Sequence, residues 1–370
     1  MRIVVVGGGV LGTMHAWTAV AAGHEVVHIE REPEGRGASV RNFGLVWVSG
    51  RSAGVDLETA LRGRELWQSI GDQVPGVGFR GIGSLTICRT PAEVAVAQAV
   101  LNDTRRGFSL LEPEEARALN PVLRGDFMAA LHCEHDAAVE SRVALPALRA
   151  KLAESGRYRF VGGREVRTVA AGLARDDHGE IHNADQIVVT PGAAHAGLVR
   201  ELAGPTPPIR RVRLQMMQTA PLAERVTTAI ADGDSFRYYP AFASEALDRL
   251  RGVQKQTPTA AAERMQLLLV QRLDGSLTIG DTHEYTEPFA FDVTEDAYEH
   301  LRDVATALLG RELPPIRRRW AGVYSQCLDP EATVFRASPE AGVHLVTGPG
   351  GRGMTCSPAI AQDTAAELGW

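Results

Sequence analysis

Residues 1–12 read MRIVVVGGGVLG: a β-branched run from Arg2 to Val6, then Gly7, Gly9 and Gly12. TMHAWTAVAAG (13–23) continues with helical spacing, and a second apolar run, HEVVHIE (24–30), ends on Glu30. Strand, G-x-G-x-x-G turn, helix, strand and terminal acid together form the context in which this glycine spacing signals a dinucleotide site. The first glycine makes the tight turn, the second lets the backbone approach a pyrophosphate, and the third lets the helix lie on the strand. The helix N-terminus then faces the phosphates, and Glu30 accepts from a ribose hydroxyl. Val10, Leu11 and Arg31 flank these positions and are expected in the same site. The stretch alone does not distinguish NAD from FAD.

The rest of the 370-residue chain is long enough for about two domains. Hydrophobic content of 44% with 23% charged residues is that of a globular protein, and a net charge of −6 supplies no global basic field for nucleic acid or an anionic membrane. Cys88, Cys133, Cys327 and Cys356 have no C-x-x-C spacing, so they read as free thiols of a reducing compartment. No apolar run approaches a membrane span, and the fingerprint starts too early to leave room for a signal peptide. A cytoplasmic location is the expectation. His132 and His135 in HCEHD lack a second ligand pair and read as a solvent loop, so no metal site is expected.

Helical spacing recurs in DLETALRGRELWQSIG (56–71), in PAEVAVAQAV (91–100) with proline at its start, and in EDAYEHLRDVATALLG (295–310). VGFRGIGSLTICRT (77–90) reads as paired strands, and QLLLVQRLDGSLTIG (266–280) as a hairpin turning at Asp274-Gly275. The Pro-rich break at GPTPPIRRV (204–212) marks a change of domain. Near the far end, HLVTGPGGRGMTCSP (344–358) forms a second strand–glycine–helix unit, whose N–H groups around Gly353, Met354 and Thr355 favour negative charge. A merely structural strand end would also use glycines. A flavin has a use for such a helix end, because its pyrimidine ring becomes electron-rich on reduction.

With these stretches in hand, the sequence resembles the D-amino-acid oxidase, glycine oxidase and sarcosine oxidase superfamily of FAD-dependent oxidoreductases over nearly its whole length. The ordered set VVVGGGVLG…HIE, GASVRNFG, ADQIVVTPGAAHAG and TGPGGRGMTCSP carries the likeness. The resemblance implies an α/β fold: a Rossmann-type FAD-binding domain of the glutathione-reductase kind and a second α+β substrate domain on a mostly antiparallel sheet. The expected division is 1–80, 140–205 and 320–370 for FAD, and 81–139 and 206–319 for substrate. It further implies that Ser39, Arg41, Asn42 and Phe43 lie in the loop passing the pyrophosphate and isoalloxazine, that Val166 meets the adenine, and that Gly192, Gly322 and Gly350 close on the cofactor. Met354 and Thr355 would face the flavin. ASVRNFGLVW, VESRVALPAL and GGRGMT look most like a bacterial subgroup found beside phosphonate-breakdown genes, for which oxidation of aminophosphonates is inferred.

Two departures matter. Sarcosine oxidases bind flavin through a cysteine two residues before a tyrosine; here Gly322 precedes Tyr324, which implies non-covalent FAD. The arginine with which glycine oxidase grips its substrate falls at Gly351, with Arg352 one residue later. Hydride transfer from a C–N bond requires positioning, a neutral amine and exclusion of water. Arg41 and Arg352 are the expected anion donors, Tyr238 and Tyr285 further substrate contacts, and His283 and Tyr324 the groups nearest the chemistry. Each arginine has a solvated surface charge as its alternative, and His283 a satisfied core histidine. The expected activity is oxidation of a small anionic amine, an aminophosphonate related to 2-aminoethylphosphonate, with O2 as acceptor. Oxidation of glycine, sarcosine or a D-amino acid, an NAD-dependent dehydrogenase and an electron-passing flavoprotein subunit are the alternatives.

Overall fold

The computed structural model describes residues 1–370. Strand Arg2–Val6 lies in the interior of a six-stranded sheet, parallel to Glu25–Glu30 on one side and to Gln186–Val189 on the other. Tyr158–Gly162 extends the sheet beyond Glu25–Glu30, and Val343–Thr347 beyond Gln186–Val189, both in parallel. Phe335–Glu340 closes the second side as an antiparallel edge. Ile3, Val4, Val5, Ile187, Val188 and Leu345 are fully buried, as expected of a sheet covered on both faces. Helices Val10–Ala21 and Gly353–Leu368 pack together on one face of this sheet, with Val55–Gln73 against the latter.

The turn between Arg2–Val6 and Val10–Ala21 explains its glycines. Gly7 has φ +112°, and a Cβ on Gly12 would stand 2.0 Å from the Gly7 carbonyl oxygen. A side chain on Gly12 would push the helix off the strand, and one on Gly7, already in a backbone conformation suited to glycine, would strike the Thr190 carbonyl at 2.2 Å.

A second, eight-stranded sheet runs from edge strand Ile316–Cys327 through Ile209–Pro221, Ser276–Gly280, Leu268–Gln271, Ala229–Ala231, Ser84–Cys88 and Ala129–Cys133 to Phe108–Leu111. All its pairings are antiparallel except that between Ala229–Ala231 and Ser84–Cys88. Helix Glu295–Leu309 lays Tyr298, Leu301 and Leu308 on Leu85, Ile87, Leu269 and Ile279. The fold is therefore α/β with a largely antiparallel second sheet.

Three local expectations need correction. Of VGFRGIGSLTICRT, only Ser84–Cys88 is a strand, because its partner is the distant Ala129–Cys133 and not its own neighbour. His132 and Cys133 sit on that partner strand, not in a solvent loop, and Cys133 is buried. The boundary drawn at residue 320 falls inside Ile316–Cys327, which pairs with Ile209–Pro221 from Ile316 to Cys327 and so belongs to the second sheet.

Candidate active site

A cavity of about 420 Å³ opens between the two sheets. Its nucleotide side is built from backbone. Helix Val10–Ala21 starts at Gly9 with no side-chain cap and no acidic residue in its first turn. The Val10 N–H donates to Ser39 Oγ at 2.9 Å. Helix Gly353–Leu368 also starts uncapped and without acids in its first turn, and Gly353 and Met354 reach the same cavity as Gly9, Val10 and Leu11. Two helix N-termini from opposite ends of the sequence thus face one space, an arrangement suited to a ligand with a diphosphate at one place and developing negative charge at another. The cradle fits FAD.

Glu30, at the end of its strand, accepts from the Gly8 N–H at 2.5 Å and the Glu32 N–H at 3.1 Å. Asn42 donates to the Ala38 carbonyl and accepts from the Gly44 N–H, fixing the loop that Ser39 anchors.

The opposite wall is built from side chains. Asp136, buried between the sheets, accepts from the N–H groups of Val48 (2.6 Å) and Ser49 (3.0 Å) and from the Ser84 hydroxyl (2.6 Å). It thereby holds the turn that carries Arg51. The Arg51 side chain is 8% exposed; its Nε donates to the Trp47 carbonyl at 2.9 Å, and its two terminal nitrogens have no protein acceptor. Burial is the largest single influence and works against its charge, but Asp56 together with Cys356, Tyr239 and Tyr238 outweighs it and holds the guanidinium above its ordinary value. Asp56 itself is engaged: Oδ1 takes Arg352 Nη1 at 3.0 Å, and Oδ2 takes the Ser52 N–H and hydroxyl.

Around the rest of this wall stand Tyr238, Tyr239, Tyr324, Tyr285, Asp281 and His283. The phenols of Tyr238, Tyr239 and Tyr324 are all pushed upward, chiefly by burial. His283 stacks on Tyr238 with ring centroids 4.0 Å apart; its Nδ1 lies 3.0 Å from the Arg264 carbonyl, and burial lowers it to about 4. Burial raises the Asp281 carboxyl to about 8. Four buried polar atoms on this wall lack a well-formed hydrogen bond: Trp47 Nε1, Gln266 Oε1, Asp281 Oδ1 and Tyr324 OH, with Gln266 beside Asp281 and Tyr238 beside Tyr324. Unsatisfied buried polar atoms are costly and uncommon, so their gathering in one cavity marks a place made for a polar ligand.

Comparison with known proteins agrees with this geometry. The model of the family DAO, FAD dependent oxidoreductase, matches residues 2–367. The chain belongs to this family. FAD is its cofactor. Glycine oxidase from Geobacillus kaustophilus shares the fold at 18% identity and a TM-score of 0.77, over 100% of this chain and 95% of that one. L-proline dehydrogenase from P. horikoshii superposes at 21% identity and 0.79, over 99% and 92%. The FAD-bound L-alpha-glycerophosphate oxidase from Mycoplasma pneumoniae does so at 16% and 0.75, over 100% and 94%. A search of curated proteins found no match.

In this FAD-dependent oxidoreductase the cavity wall includes Gly9, Val10, Leu11, Ser39, Arg41, Asn42, Phe43, Gly192, Gly322, Gly350, Gly353 and Met354, along with Arg352, Tyr238, His283, Tyr285 and Tyr324. Gly7, Gly12, Glu30, Arg31, Val166 and Thr355 are off it. The first two shape the turn, and Arg31 is exposed. Val166 is buried at the start of a strand in a separate three-stranded sheet. Thr355, expected to face the flavin, instead accepts from the Trp47 N–H at 2.8 Å and ties helix to loop.

The two expected anion donors both line the cavity and are each partly engaged by the protein. Arg41 is exposed and donates to the carbonyls of Arg36 (2.9 Å) and Ala321 (3.1 Å), docking its loop on the edge strand. Arg352 is paired with Asp56. Arg51 and Asp281 were missed. Arg51 lies just beyond ASVRNFGLVW and Asp281 just before His283, in GDTHEY (280–285), and burial, which sequence does not display, is what separates them from their neighbours.

Proposed function

We propose that this flavoenzyme oxidises the C–N bond of a small amine that carries an anionic group at its other end. The observation that carries the reading is Arg51: a buried guanidinium on the cavity wall with both terminal nitrogens unpartnered. A fork of this kind matches a carboxylate or phosphonate, and desolvation strengthens each bond it makes. The side chain at Gly351 is only a hydrogen, and a Cβ there would meet nothing nearer than the Tyr324 hydroxyl at 3.7 Å. The position of the glycine-oxidase arginine thus carries no side chain and borders the Tyr324 ring, so the anion contact falls to Arg51, which supports an aminophosphonate related to 2-aminoethylphosphonate over glycine.

FAD, when bound, would supply the hydride acceptor, and O2 would take the electrons onward. The chain's own residues hold the anion at Arg51, enclose the amine among Tyr238, Tyr324 and Tyr285, and keep bulk water out. His283, neutral and anchored on Arg264, offers a lone pair and no charge. The similar structures include a glycine oxidase and an L-proline dehydrogenase, each named for an amino acid, which supports an amine substrate here.

The test is peroxide release across glycine, sarcosine, D-alanine, 2-aminoethylphosphonate and its N-methyl and 1-hydroxy forms, with glycerol 3-phosphate as the C–O control. A phosphonate should show the highest kcat/KM. A higher value for glycine or D-alanine than for every phosphonate removes the phosphonate assignment, and turnover of glycerol 3-phosphate alone removes C–N oxidation.

A further inference from the structure

The amine end of the substrate has its own problem. A primary or secondary aliphatic amine is protonated near neutrality, with a pKa of about 10 like a lysine, and an ammonium has no lone pair to drive loss of hydride from the adjoining carbon. Some group must stabilise the cation on entry and then remove its proton. Water is poorly placed to do so in a cavity lined by buried tyrosines.

We propose that Asp281 is the catalytic residue that binds the substrate ammonium and accepts its proton. This rests on the anionic-amine reading above and adds the second pole. Asp281 is 6% exposed and lines the cavity; Gln266 is the side chain beside its carboxyl, and Oδ1 is buried without a well-formed hydrogen bond. Oδ2 lies 3.9 Å from His283 Nε2. That gap is too long for a hydrogen bond between the two, yet a nitrogen about 2.9 Å from each spans it. With Nδ1–H of His283 donated to the Arg264 carbonyl, Nε2 presents a lone pair, so carboxylate and imidazole together accept two N–H bonds from one ammonium. Gln266 Oε1, which faces the Asp281 carboxyl without a well-formed hydrogen bond, accepts a third once Asp281 is ionised. In the transfer step an N–H bond breaks and an O–H bond forms on Asp281. The electron pair stays on nitrogen, and the substrate is left as a neutral amine. No redox change occurs in this step.

The groups facing Asp281 are Gln266, His283, Tyr238, Tyr239 and Tyr324, with Arg264 behind His283 and Arg51 beyond Tyr239. None of the near ones carries a charge at neutral pH, so burial dominates and holds the empty-site carboxyl up at about 8. An arriving ammonium supplies the missing counter-charge, ionises it and releases its proton to solvent.

The test uses two ligands that cannot be oxidised. 2-Amino-2-methylpropylphosphonate has its amine on a carbon with no hydrogen, and in neopentylphosphonate a methyl replaces the ammonium. Binding to the FAD-loaded enzyme is read from the flavin absorbance. The amine should bind roughly tenfold or more tightly than its isostere at pH 8. Each ligand's phosphonate titration, which the neighbouring ammonium shifts to lower pH in the amine, is measured separately and divided out; because only the ionised carboxylate attracts the cation, the corrected ratio of the two affinities should then fall by up to about tenfold per unit as pH drops below 8. In Asp281→Asn the ratio should collapse towards one and lose its pH dependence. Neopentylphosphonate binding with no gain from the amine, or a ratio unchanged in Asp281→Asn, overturns the Asp281 proposal and leaves the anion pocket standing. Failure of both ligands to bind overturns the anionic-amine reading and this proposal with it. The pH dependence in the unmutated enzyme needs no variant to fold.

Discussion

The two sides of the cavity differ in how they are made. The nucleotide side is backbone: glycines at positions with no room for a Cβ, two uncapped helix starts, and a Glu30 carboxylate already satisfied by N–H groups. The substrate side is side chain: Arg51, Asp281, Gln266 and Tyr324 are buried or nearly so, with polar atoms that lack a well-formed hydrogen bond within the protein. A backbone site tolerates no change of shape and asks little of chemistry. A side-chain site is shaped by whichever ligand satisfies it, and small changes there redirect specificity while the fold persists.

The sharpest way to break the contrast is Gly12→Val. Its Cβ would stand 2.0 Å from the Gly7 carbonyl oxygen, so helix and strand must separate. We expect purified protein without flavin absorbance and with stability lowered by roughly 1–3 kcal/mol or more. A yellow protein of normal Tm would show that the backbone side is more plastic than argued.

Arg51→Met comes next. Loss of a desolvated charge-assisted pair costs about 1.5–3 kcal/mol, which is a fall of roughly 10- to 150-fold in kcat/KM for an anionic amine. An uncharged amine such as propylamine should change little, and the FAD spectrum should be retained. Equal losses on both substrates would place the anion elsewhere.

Asp281→Asn addresses stability separately from function. The folded carboxyl is raised to about 8, above the unfolded value near 4, so the folded state binds its proton more tightly. Stability from this group is therefore highest at low pH and declines as pH climbs from about 4 to about 8. The asparagine variant should melt higher than the parent at pH 8, by a few °C, with the gain shrinking towards pH 5. A variant less stable at pH 8 would mean that Asp281 is ionised and satisfied in the resting protein.

The smallest effect belongs to Arg41→Ala. An exposed side chain bonded to two carbonyls contributes at most about 1 kcal/mol, and discrimination between charged and neutral amines should not move. A selective loss of anionic substrates would return Arg41 to the substrate wall.

How far these sides were legible follows from the same contrast. Gly7 and Gly12 announce themselves because steric exclusion acts between residues five apart in the chain, and Gly353 because a helix start is a local event. Arg41 and Arg51 lie in one loop and look alike as letters. Asp136, far along the chain, bonds Val48 and Ser49 and sends one arginine inward, while Ala321 draws the other outward. In GDTHEY, histidine and tyrosine attract notice as functional residue types, whereas an aspartate is ordinarily solvated. Only the packing of Tyr238, Tyr239 and Tyr324 around it makes Asp281 unusual. Residue 320, drawn as a boundary, falls inside one strand for a related reason: Gly322 and Tyr324 reach the cofactor cavity, yet their strand is hydrogen-bonded to Ile209–Pro221.

The position of Val343–Thr347 bears on how the chain can be assembled or cut. Gln186–Val189 has this strand as its parallel neighbour on the side away from Arg2–Val6, and the two are separated by more than 150 residues that build the other sheet. A fragment ending before 343 would therefore carry an open row of amides along Ile187, Val188 and Val189, flanked by apolar side chains, which is a template for adding strands from other molecules. Nucleotide-binding pieces excised from this protein should precipitate unless the C-terminal segment is supplied in trans. During synthesis the same edge stays exposed until the last strand arrives, which makes this interval the one in which a chaperone would matter most.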